Sequence, residues 1–413
     1  MNDTSRLNYK KTFILGFGFF AISLIWQIYN YYVPLFLHDF LPGELTKING
    51  VMTLDNLLAV TLIPFIGSLS DRTNTRFGRR MPFLLIGMPL SALFFLFVPY
   101  FSKLYNPNLP LFLIIIGGLL VSMAIYRSPT IALMPDITPH EHQSKANGII
   151  NFMGGIGTIF ALLVGAILYK MNPNYPFIMT SVLVLFSLFM VFKFIKEPIN
   201  SSVSAKDAEE PVEMRSTIKA IIENKDKTAL FILLGIFFWF VAYHGVVATF
   251  SNYCVHFLNI DSADGAFFLS IMSLSFVIMA IPSGYIAAKL KKKNVILIGI
   301  AGMFISFMLL SLLRPNMAII PFKIAMILVM AFAGVSWAFI NINSYPLVVE
   351  LAGKTAIGTY TGFYYFSSQI AAILGPLLLG IFIDISGFKL MFPIAAFSFL
   401  IAFFFIWRSK PKK

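Results

Sequence analysis

The chain has 413 residues, of which 58% are hydrophobic, 16% aromatic and only 12% charged, with a mean hydropathy of +0.83. Soluble domains carry about 25% charged residues, so this composition excludes a water-soluble globular protein. The net charge of +13 does not indicate nucleic acid, because the basic residues lie in short segments between apolar runs and form no groove-like surface. A single cysteine, Cys254, leaves neither a disulfide framework nor a cysteine-based metal site.

After a short basic start (Arg6, Lys10, Lys11), apolar runs long enough to cross a bilayer are expected at 12–37, 45–69, 82–101, 109–134, 146–169 and 175–195. A second set follows at 229–258, 264–288, 295–313, 318–346, 356–384 and 388–407. The first run lacks the short apolar core and small-residue cleavage site of a signal peptide, so it is read as a retained span. The expected architecture is an all-α polytopic membrane protein of twelve transmembrane helices. It has a six-helix half at 1–195, a cytoplasmic linker at 196–228 and a second six-helix half at 229–413. Within the linker, the polar stretch 200–211 is expected to be disordered. Residues 213–227 could form a surface-lying amphipathic helix with Met214, Ile218, Ile221 and Ile222 on one side. With both termini in the cytoplasm, about two dozen of the 31 Lys and Arg face inward and about five face out. The expected location is the plasma (inner) membrane.

The most distinctive stretch is Gly67–Pro82, GSLSDRTNTRFGRRMP, a basic hairpin between the second and third spans. It holds Asp71, Arg72, Arg76, Arg79 and Arg80, more charge than a simple topology signal requires. The halves carry weak internal echoes. Pro64 and Gly67 match Pro282 and Gly284; Pro129 and Asp136 match Pro346 and Glu350; Gly148 and Gly165 match Gly358 and Gly375. Two parallel six-span repeats with a site near the midplane are the design of rocker-type secondary transporters.

Charged groups deep in a span mark a pathway more often than not. Asp55 stands ten residues into the second span and Arg127 about two turns from the end of the fourth. A guanidinium cannot lose its proton in practice, so an Asp55–Arg127 ion pair is expected, with Asp55 as proton carrier. His244, beside Trp239 and Tyr243, is equally well read as a packing residue or as a second proton site. Candidate sugar-binding groups are Trp26, Gln27, Asn30 and Tyr31 in the first span, where Gln27, Asn30 and Tyr31 share one helix face. Further candidates are Asn252, Asn341, Asn343, Tyr360, Tyr364 and Gln369, since sugars are held by aromatic faces and amide hydrogen bonds. The glycines at 148, 154, 155, 157 and 165 are read as close helix contacts. No metal spacing, phosphate loop or nucleophile constellation suggests an enzyme or a cofactor.

The ordered hairpin pattern resembles the loop between helices two and three of major facilitator transporters. Together with YRSPTIALMPDITP (Tyr126–Pro139), KANGIINFMGGIG (Lys145–Gly157) and NSYPLVVE (Asn343–Glu350), the chain resembles the glycoside–pentoside–hexuronide:cation symporters, nearer their sucrose-transporter-like branch. That resemblance implies import of a glycoside, commonly a disaccharide, coupled to H⁺ or Na⁺. In melibiose-permease-like members acids stand where this chain has Ala59, Ile63 and Arg127. Removing three carboxylates removes most ligands for a hard cation, which favours H⁺. In sucrose-transporter-type members the fourth-span arginine usually stands about where Ile131 is here, one turn later than Arg127. The expected cytoplasmic gate comprises Asp71, Arg72, Arg76, Arg79, Arg80, Asp136 and Glu350.

The function expected is therefore proton-coupled import of a disaccharide or related glycoside by alternating access, with a sugar and the lipid bilayer as partners and no obligatory protein partner. Two alternatives stand beside it. A carrier of amphipathic or lipid-like substrates would need an apolar groove, and a non-transporting sensor or scaffold would need a sizeable soluble domain.

Overall fold

The computed structural model describes residues 7–102, 104–105, 107–139, 142–197, 227–314, 318–352 and 357–410. Apolar runs leave the backbone no water to bond, so each span satisfies its own amides as a helix. The first part of the chain forms α1 (Tyr9–Phe40), α2 (Leu45–Met52), α3 (Leu54–Arg72), α4 (Met81–Phe97), α5 (Leu109–Ile137), α6 (Gln143–Met171) and α7 (Tyr175–Phe194). The second forms α8 (Thr228–Asn252), α9 (Ser262–Leu290), α10 (Lys292–Ser311), α11 (Ile319–Ala352), α12 (Ile357–Ser386) and α13 (Met391–Arg408). Eleven of these stretches, with α2 and α3 taken together, are long and apolar enough to span a membrane, and α4 is a shorter apolar helix. The linker helix expected at 213–227 lies, up to residue 226, outside the described residues.

Two spans depart from simple expectation. The second is interrupted at Thr53, whose N–H donates to the Asn49 carbonyl and whose hydroxyl donates to the Gly50 carbonyl, both at 2.9 Å. These bonds close α2, so Asp55 falls in the first turn of α3. The seventh span ends in a π-helical turn, Tyr253–Phe257, which includes the buried Cys254.

The helices group into two compact units. In the first, α1 packs along α6 and α7, α3 lies on α5, and α4 lies on α5 and α7. Tyr32 stacks on Tyr169 with ring centroids 4.3 Å apart, and Phe36 stacks on Phe177. Gly157 permits the α1–α6 approach, since a Cβ there would stand 2.7 Å from the Phe20 carbonyl oxygen. Gly148, read as a contact glycine, faces open space instead. The segment Ser262–Phe267, which opens α9, belongs to this unit. The Tyr31 hydroxyl donates to the Ser262 carbonyl at 2.6 Å, and Lys170 pairs with Asp264 at 2.6 Å.

In the second unit α8 packs on α12 and α13, and α10 packs on α11 and α13. Gly43–Thr53, and with it α2, belongs here rather than with the other early spans. Asp384 of α12 accepts from the backbone N–H groups of Leu45 (2.7 Å) and Thr46 (2.9 Å) and from the Thr46 hydroxyl. A carboxylate at a helix N-terminus meets both the free N–H groups and the positive end of the helix dipole. The Asn49 amide adds a bond to the Pro376 carbonyl at 2.8 Å. The second span is thus shared between the units, with its break two residues before Asp55.

Candidate functional site

Three of the polar residues singled out in the sequence meet in one pocket of the first unit. Trp26 from α1, Asp55 from α3 and Arg127 from α5 line a small pocket walled by Leu58, Ala59, Ile63, Leu120, Met123 and Ala124. The Arg127 guanidinium lies over the Trp26 ring, 5.5 Å from its centroid, where the negative face of the indole attracts it. Asp55 and Arg127 interact electrostatically across the pocket. The direct ion pair expected from sequence is not made. Asp55 Oδ1 is buried without a hydrogen-bond partner, and so is Trp26 Nε1. Each charge has partial compensation of its own: the first-turn N–H groups of α3 lie near the carboxylate, and the indole face lies under the guanidinium. Tyr29, which sequence reasoning passed over, is wholly buried and near enough to Asp55 to feel its charge.

The rest of the first-span cluster divides. Gln27 and Asn30 are half-buried and make no side-chain hydrogen bond among the described residues. Tyr31 is buried, and its hydroxyl is engaged by Ser262.

In the second unit, α8 and α11 bring a set of rings together. Tyr243 stacks face to face on Trp337 at 3.8 Å and 2°. His244 stacks on Phe240 at 5.6 Å and meets Tyr243 edge-on, so it is packed among rings. Phe240 also meets Trp337 and Tyr364 edge-on, and the Tyr364 hydroxyl lies 3.0 Å from Ser344 Oγ. The Asn343 amide donates to Ser283 Oγ at 2.8 Å and to the Phe339 carbonyl, which commits it to joining α9 and α11. Asn341 is half-buried, Asn252 fully buried and Gln369 exposed. A second small pocket, lined by apolar and aromatic side chains including Tyr243, Phe250, Met272 and Phe307, lies within this unit.

The basic hairpin is a folded device. Gly78 takes a φ of +105°, closed against Thr75 by N–H···O and hydroxyl bonds of 3.0 and 2.7 Å. Arg80 is buried; its Nε donates to Asp136 at 2.9 Å, while its other nitrogens reach Ser70 and Asp71. Burial alone would lower the Arg80 pKa; the carboxylates of Asp136 and Asp71 reverse this and raise it above its ordinary value. Arg79 adds a contact to Asp136 at 3.4 Å. Glu197, which follows α7 and was absent from the sequence-derived set, completes the cluster. Its carboxylate accepts from the backbone N–H of Arg80 at 2.9 Å and of Met81 at 3.3 Å, capping α4. Arg72 and Arg76 are exposed and form no ion pair among the described residues; Arg76 lies over the Phe77 ring. Glu350, the counterpart of Asp136, pairs with Lys292, so the echo between the halves extends to their ion pairs.

An all-helical chain of membrane-spanning apolar helices, with a charged pocket inside one helical unit, defines a polytopic membrane transporter. The sequence matches the Major Facilitator Superfamily over residues 15–376, and the chain belongs to that family, a family of transporters and not of enzymes. It is 27% identical over 183 residues to a protein of Synechocystis described as an uncharacterized symporter, covering 42% of this chain and 34% of that one. It is 27% identical over 172 residues to the human proton-associated sugar transporter A, covering 39% and 23%. The matched region therefore spans about a third of the first relative and about a quarter of the second. Among solved structures, a nucleoside transporter superposes with a TM-score of 0.74 at 17% identity, covering 98% of this chain and 100% of that one. As a member of this family, the chain is a multi-pass integral membrane protein.

Proposed function

We propose that the chain is a proton-coupled symporter importing a disaccharide or related glycoside, of the glycoside–pentoside–hexuronide:cation type, with Asp55 as the proton carrier. The observation that carries this is the buried, unpartnered carboxyl oxygen of Asp55 in a pocket shared with Arg127 and Trp26. An intramembrane acid without a fixed ionic partner is free to cycle between charged and neutral forms. The Synechocystis symporter and the human proton-associated sugar transporter, each matched over about two-fifths of the chain, support the class. Protons are favoured over Na⁺ because Ala59 and Ile63 give the pocket hydrocarbon walls, and Asp55 is the one carboxylate among its described lining residues. Under this reading the hairpin and both termini face the cytoplasm, and the Arg80 cluster with Asp136 latches that side during alternating access.

Uptake of a radiolabelled disaccharide into proteoliposomes tests the reading. Uptake should follow an imposed pH gradient and ignore a Na⁺ gradient; the reverse dependence would overturn proton coupling. A second reading, a carrier of amphipathic substrates, draws on the apolar pocket in the second unit. It predicts uptake of alkyl glycosides in preference to free disaccharides.

A further inference from the structure

The state of Arg127 says something about the solute. Its guanidinium makes no hydrogen bond and no ion pair with any described residue, and its electrostatic neighbours are the Trp26 ring, Asp55 across the pocket and the buried Tyr126. An indole face satisfies the flat side of a guanidinium but none of its five N–H donors, which lie in the plane and point outward. That donor edge fits a planar, two-oxygen acceptor. Asp55 is the acceptor at hand, yet it stands apart, with one oxygen buried and unbonded. Once Asp55 carries its proton, the pocket retains one formal charge, the positive charge of Arg127. Around it are six aliphatic side chains and no further ionisable group among the described lining residues.

We propose that Arg127 is the recognition group for a carboxylate on the transported solute, that the body of the solute next to that carboxylate is apolar, and that the protonated form of Asp55 is the form that admits it. Proton and anion then enter together as a neutral pair. Trp26 acts as a positioning residue, holding the guanidinium plane so that its donor edge faces the pocket. The inference rests on the reading of Asp55 as proton carrier and sets an anionic solute against the neutral disaccharide proposed above, a choice that the comparison with sucrose decides.

The test uses the full-length protein purified in detergent. Aryl- and alkyl-carboxylates of graded length, from 3-phenylpropionate to octanoate, are compared with their primary amides and with sucrose. The readouts are binding affinity, thermal shift and proton uptake in weak buffer. Acids should bind, amides should bind at least about tenfold more weakly, and each bound acid should take up a proton. Arg127→Gln and Arg127→Lys should each lose about tenfold or more for acids, Lys because it keeps the charge but not the fork. Unshifted unfolding of the unliganded variants shows that they fold. Asp55→Asn should bind the acids without proton uptake. Equal binding of acids and amides, no binding of any acid, or sucrose binding that requires Arg127 would overturn the carboxylate assignment. Acid binding through Arg127 with unchanged proton uptake in Asp55→Asn would leave that assignment standing and remove Asp55 as the carrier.

Discussion

Two arginines of the first unit, Arg80 in the hairpin and Arg127 in the fourth span, are both largely removed from water, and the molecule uses them in opposite ways. Arg80 is consumed: Ser70, Asp71 and Asp136 take its donors, and Glu197 takes its backbone N–H. Arg127 rests on an indole face with its donors uncommitted among the described residues. A saturated charge holds the structure together, whereas an unsaturated one in a low-dielectric pocket waits for a ligand or a proton. Residue type alone does not separate these two roles.

The sharpest way to break this contrast is at Asp55. Asp55→Asn should abolish accumulation against a gradient while leaving counterflow exchange, both measured in proteoliposomes; full uphill transport by this variant would remove the pocket from the coupling mechanism. The next test sets the arginines side by side. Arg80→Gln should cost about 3 kcal/mol, because it leaves the buried Asp136 carboxylate with Arg79 as its remaining cation, whereas Arg127→Gln should leave the unfolding temperature nearly unchanged and stop transport. Equal destabilisation of the two variants would erase the distinction. Gly78→Ala probes the hairpin from its backbone. A Cβ there would stand 2.3 Å from the Glu197 carboxylate, at a φ that L-residues avoid, so a loss of about 1–3 kcal/mol is expected in detergent unfolding. The smallest effect belongs to Tyr31→Phe. It removes one hydrogen bond to Ser262, about 1 kcal/mol, and should leave KM alone; a raised KM would move Tyr31 among the uncommitted groups.

Where the sequence was informative, the controlling physics was local. Span lengths follow from bilayer thickness, and the hairpin follows from charges crowded between two apolar runs. Asp55, Trp26 and Arg127 could be singled out because polar groups at depth are rare, and they do share a pocket. What escaped was long-range. Glu197 reaches Arg80 across 117 positions, and nothing around residue 197 announces it. Asn343 and Tyr31 looked like sugar ligands because their partners, Ser283 and the Ser262 carbonyl, are set by tertiary packing. The interruption at Thr53 was equally hidden, since the apolar run continues through it. The division of the second span depends on Asp384 and Pro376, more than three hundred residues away.

That interruption bears on where hydration reaches. A helix that stops and restarts leaves its first amides without partners in the turn before. Hydrocarbon does not tolerate bare amides, so such a junction survives inside a bilayer only where protein covers it or a wet cavity meets it. The start of α3 is therefore an expected point of hydration beside Asp55, from which a proton could be taken from solvent. Deuterium exchange should find the amide of Leu54 faster than those a turn deeper along α3.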